Sequence, residues 1–133
     1  MIEINNLTTS KIDEKKLKKV IKKVLEGENI RCEDLSIALV DPAGIKELNK
    51  KYRKQNRVTD ILSFSYNGSG EIIICPQVVK KNAKKFALNF KKELAKVLIH
   101  GILHLLGYDH EKNKVKAKKM EDKEKYYLKY VKS

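Results

Sequence analysis

Residues 61–75, ILSFSYNGSGEIIIC, decide the fold. Two β-rich runs, ILSFSY and EIIIC, flank NGSG at 67–70, where Asn and Gly supply the positive backbone angles of a tight turn, so the stretch predicts an antiparallel hairpin. Outward from it, LSIALV at 35–40 reads as a buried strand, and residues 2–4 alternate apolar and acidic. Helices are predicted between these runs. One spans about Asp13 to Leu25, with Leu17, Val20, Ile21, Val24 and Leu25 on one face and Gly27 as its stop. A second starts at the Asp41-Pro42 cap and carries Ile45, Leu48 and Tyr52; a third starts at Pro76 with Val78, Val79, Ala83 and Phe86 inward. A central apolar helix runs from about Phe90 to Leu106, and the tail from Lys112 to Ser133 is helical with Val115, Met120, Tyr127, Leu128 and Val131 on one side. Helices mixed with a sheet that contains a hairpin predict an α+β fold, a small mixed sheet packed against helices, rather than a doubly wound parallel one.

Composition bounds the rest. A chain of 133 residues with 41% hydrophobic side chains can bury one core, which argues against two domains, and 6 Gly with 2 Pro do not match low-complexity disorder. The formal charge is +13, from 27 lysines and only three arginines, Arg31, Arg53 and Arg57. Such a surface favours polyanions without choosing a sequence, so RNA or DNA is the partner class it points to, against the plainer reading of a solubilising lysine coat. No apolar segment is long enough to span a membrane and MIEINN lacks the apolar region of a signal peptide, so a cytoplasmic protein without membrane contact is expected. Cys32 and Cys75 stand far apart, as reduced thiols do; Cys75, closing IIIC, reads as a small buried hydrophobe.

All three histidines fall in HGILHLLGYDH, at His100, His104 and His110. The first two are four apart on a predicted helix and project from one face, as two ligands of one metal ion would. Gly107 ends that helix, and a left-handed residue there lets Tyr108 and Asp109 carry His110 back toward the same point. Three imidazoles leave zinc an open position for water, and neither cysteine lies near, so a catalytic zinc site is favoured over a closed structural one. From His104 onward the spacing is that of the metzincin protease pattern HExxHxxGxxH, but Gly101 stands where that pattern has its general-base glutamate. Peptide hydrolysis is thereby disfavoured, unless a carboxylate elsewhere, such as Asp60 or Glu71, substitutes.

The same motif resembles the zinc signature of the YbeY endoribonucleases, which are also described as ribosomal RNA maturation factors. Asn49, Tyr52 and Arg53 followed by Thr59, Asp60, Ile61, Leu62, Ser63 and Phe64 are similar to the family's second signature, with Val58 in the place of an expected proline. Gly70, Glu71 and Ile72 resemble a third, and Met120 with Glu121 a C-terminal feature. The resemblance implies a zincin-like domain over residues 1–133 whose central helix carries two of the histidines. It further implies one zinc ion on His100, His104 and His110, and single-strand RNA cleavage in 16S ribosomal RNA processing. RNA of the small ribosomal subunit is then the partner, with no DNA specificity. Arg53, which the resemblance places in the cleft, is the candidate cation for the charge that develops on phosphorus, because a planar guanidinium holds two phosphate oxygens at once. Arg57 is the second choice. Asp60 and Ser63 either brace the site by hydrogen bonds or simply cap a strand. Two other functions fit the same residues: a zinc-stabilised RNA-binding assembly factor with little turnover, and a zinc hydrolase of another substrate.

Overall fold

Asn67 and Gly68 have φ of 37° and 88°, and two successive positive angles make the two-residue turn that matches the twist of paired strands. The turn is therefore shorter than NGSG suggests, and Ser69 and Gly70 already belong to a strand. The computed structural model, which describes residues 1–31, 34–108 and 113–131, contains nine elements. They are β1 (Ile2–Asn6), α1 (Glu14–Gly27), β2 (Leu35–Leu39), α2 (Pro42–Arg53), β3 (Ile61–Tyr66), β4 (Ser69–Ile74), α3 (Pro76–Lys85), α4 (Phe90–Leu105) and α5 (Lys114–Leu128).

The sheet runs β1-β2-β4-β3, with β1, β2 and β4 parallel and β3 antiparallel to β4 at the edge. This is the mixed α+β arrangement expected. Ile72, Ile73 and Ile74 are all buried, which a strand covered on one face could not achieve. Ile72 and Ile74 join Leu98, Ile99 and Ile102 of α4 in the main core, whereas Ile73 packs with Ile45 of α2 and with Leu62 on the opposite face. Each such side chain contributes roughly 1.5–3 kcal/mol by leaving water.

Helix starts follow the expected chemistry. Asp13, Asp41, Asn89 and Asn113 each accept a hydrogen bond from the backbone N–H three residues on, which satisfies one of the amides a helix start leaves open. Three side chains read as inward face water instead. Phe86 is 64% exposed because it caps α3 rather than lying on its face, Tyr52 meets the edge of Phe64 but leaves half its surface in water, and Val115, 80% exposed, sits in the first turn of α5. Cys75 is buried as expected, and burial pushes its thiol up; Cys32 lies outside the described residues. Among the described residues no helix is long and apolar enough to cross a membrane.

Candidate active site

The central helix α4 is apolar almost all round, since sheet, α1, α3 and α5 surround it, and eight of its side chains or glycines from Leu94 to Leu103 are buried. His100 and His104 are where it opens. They lie one turn apart with ring centroids at 5.9 Å and planes at 85°; His100 is half-buried and His104 exposed. Gly107 follows with φ of 97°, a conformation that a side chain resists, and this left-handed residue turns the chain off the helix axis as anticipated. His110 lies outside the described residues.

Across from the two imidazoles, a cleft of about 460 Å³ is bounded by Arg53 and Asn49 of α2, by Thr59, and by Ser63 and Ser65 of β3. Arg53, which the resemblance put in the cleft, thus shares one opening with the two histidines. Arg53 is exposed but held: its Nη2 donates to the Ser63 carbonyl at 2.7 Å, and its guanidinium lies 5.1 Å from the Phe64 ring centre. The loop below it is tied down by Asn49, the one buried polar side chain among the described residues, whose Nδ2 donates to the Arg57 carbonyl at 3.0 Å. Arg57 itself reaches Gln55 and does not line the cleft. Asp60 and Glu71 do not line it either, so neither replaces the missing glutamate. Asp60 accepts from the Thr59 hydroxyl, and its backbone carbonyl receives the Cys75 N–H.

The glycine that displaces that glutamate has a steric reason. A Cβ on Gly101 would lie 2.5 Å from Ile61 Cδ1 and 3.3 Å from the Ser63 hydroxyl, so any side chain there must push the end of Ile61 aside. Among the described residues no carboxylate lines the cleft, and the chemistry available in it is that of imidazoles, a guanidinium and hydroxyls.

Two carboxylates work from outside the cleft, and sequence reading singled out neither. Glu124 of α5 accepts a hydrogen bond from His100 Nδ1. The neighbouring Glu121, which drew attention in the sequence, instead pairs with Lys125 on the exposed side. Glu28, just after α1, accepts from the hydroxyls of Tyr108 and Tyr127 and lies 3.2 Å from Lys123 Nζ. Burial works to raise its carboxyl, but those donors and the lysine charge outweigh burial and hold it below the ordinary value. Burial and the bond to Glu28 push the Tyr108 phenol up to about 12. In sequence, Glu28 and Glu124 look like any of the solvated acids around them; only the meeting of α1, α4 and α5 sets them apart.

The donor set suits zinc as far as it is described. Two neutral imidazoles at helical spacing are an ordinary pair of zinc ligands, and a carboxylate on the far nitrogen of one of them is the usual companion of such a ligand. Among the described residues no group of three donors stands ready for a metal, and His110 would have to be the third.

Comparison with known proteins agrees with the motif reading. The family model described as "Endoribonuclease YbeY" matches residues 3–132. A Thermotoga petrophila protein named endoribonuclease YbeY is 42% identical over 119 residues, covering 87% of this chain and 76% of its own. A Thermosipho melanesiensis protein of the same name is 40% identical over 130 residues, covering 95% and 94%. The solution structure of a Thermotoga maritima protein superposes with a TM-score of 0.72 at 40% identity, over 98% of this chain and 89% of that one.

Proposed function

This chain belongs to the endoribonuclease YbeY family, and from that premise we propose that it is a zinc-dependent endoribonuclease of single-stranded RNA acting in 16S ribosomal RNA maturation in the cytoplasm. The observation that carries the reading is the opening of His100, His104 and Arg53 onto one cleft. In this reading the domain is zincin-like and spans residues 1–133. His100, His104 and His110 would hold one zinc ion, which when bound would supply Lewis-acid chemistry toward a phosphoryl oxygen and toward water.

The chain's own residues do the rest. Lysines gather the RNA backbone without regard to sequence, as the excess of 13 positive charges suits. Arg53, fixed by the Ser63 carbonyl and the Phe64 ring, offers its remaining N–H groups to the scissile phosphate and opposes the charge that grows as phosphorus becomes five-coordinate. Asn49 ties down the loop that brings Gln55 and Thr59 to the cleft wall by donating to the Arg57 carbonyl. The absence of a general-base carboxylate at Gly101 separates this site from the peptide-cleaving pattern that its spacing resembles.

The deciding experiment maps the ends of fragments made from single-stranded ribosomal RNA by zinc-loaded protein, beside a His100→Ala control and a chelator-stripped sample. Defined ends that vanish in both controls, with RNA binding retained, are expected. Joint loss of fold and RNA binding on zinc removal, with no cleavage before it, would make the protein a zinc-stabilised assembly factor instead.

A further inference from the structure

Met120, Glu124 and Tyr127 stand on one face of α5, at spacings of four and three. Met120 and Tyr127 are buried in the core, so the carboxylate between them occupies an inward position. Its side chain is only 17% exposed, whereas those of Glu121 and Asp122 on the same helix are each 57% exposed. A carboxylate drawn inward is costly without a partner. The partner is His100 Nδ1.

We propose that Glu124 is a positioning residue for the metal site, a role that rests on the zinc reading above. An ionised carboxylate is an acceptor only, so the imidazole must place its proton on Nδ1 and donate it to Glu124. That fixes the tautomer in which Nε2 carries a lone pair, the form a metal requires, and it fixes the plane of the ring. Two helices contribute, since α4 places His100 and α5 decides which of its nitrogens is the ligand. Without Glu124 the imidazole loses the acceptor that holds its proton on Nδ1, and zinc must select the competent tautomer at a cost in affinity.

Zinc affinity tests this directly. Wild type, Glu124→Ala and Glu124→Gln are titrated against a chromophoric chelator, with folding confirmed by circular dichroism and thermal melting. The alanine variant is expected to bind zinc about 10–100-fold more weakly. The glutamine variant, whose amide oxygen accepts the same bond, should recover most of that loss. In the zinc-free wild type, nitrogen chemical shifts above about pH 8, where an ordinary imidazole is neutral, should place the His100 proton on Nδ1. A purely structural tie between α4 and α5 would lower the melting temperature and leave zinc affinity and tautomer alone. Unchanged affinity in folded Glu124→Ala, or a proton on Nε2 in the wild type, overturns the role. Should the alanine variant not fold, the glutamine variant and the wild-type tautomer still decide. Wild-type protein that takes up no zinc would sink the zinc reading and this role together, which is distinct from tight wild-type binding with an unaffected variant.

Discussion

Arg53 is defined by what it already holds. One guanidinium edge is taken by the Ser63 carbonyl and a face by Phe64, so the group arrives at the cleft with its orientation settled. Lysine could keep the charge but neither the fork nor the stacking. Arg53→Lys is therefore expected to slow single-turnover cleavage by about two orders of magnitude, the scale for one oriented donor, while equilibrium RNA binding at the same salt barely changes. Equal losses in rate and binding would make Arg53 a docking residue. Gly101 makes the opposite kind of prediction. Gly101→Glu would complete the protease spacing on paper, but the side chain must drive Ile61 aside and bury a charge against β3. Destabilisation of about 3 kcal/mol in denaturant titration is expected, with no gain of peptide hydrolysis.

At the scale of elements, one carboxylate ties α1 to α5 and to the turn after α4. Glu28 is held below its ordinary value of 4.5, so the unfolded chain takes up a proton there before the folded one does. Its stabilisation is complete above about pH 4.5 and is lost as the pH falls through the lower folded value. Glu28→Gln should thus be less stable than wild type near pH 7, and the gap between their denaturant midpoints should narrow on acidification below 4.5. A gap independent of pH would assign Glu28 a packing role alone. These elements were themselves legible. The Asp41-Pro42 cap, a turn within 67–70 and the apolar face of α4 are all local signals, read within a few residues. Phe86 and Val115 face water because periodicity says that a side chain is on the apolar side, not that a neighbour reaches it. Arg53 and the histidine pair were legible from motif residues, whereas Glu28 and Glu124 required knowledge of which helices touch.

For the whole molecule, charge is the dominant property. With 30 basic against 17 acidic residues, phosphate contacts release counterions, and RNA affinity should fall steeply and linearly on a log–log plot against salt. A flat dependence would reduce the lysines to a solubilising coat. The bond from Tyr127 to Glu28 bears on something else, the order of events in time. It joins positions 99 apart, and closing so long a stretch of chain costs entropy before any contact rewards it. The hairpin and the individual helices need only near neighbours and can form early; α5, which carries Glu124, docks when that long closure is complete. On the zinc reading, far-ultraviolet dichroism in refolding from denaturant is therefore expected to recover ahead of full zinc affinity, which would make tight metal binding one of the last acts of folding rather than a seed for it.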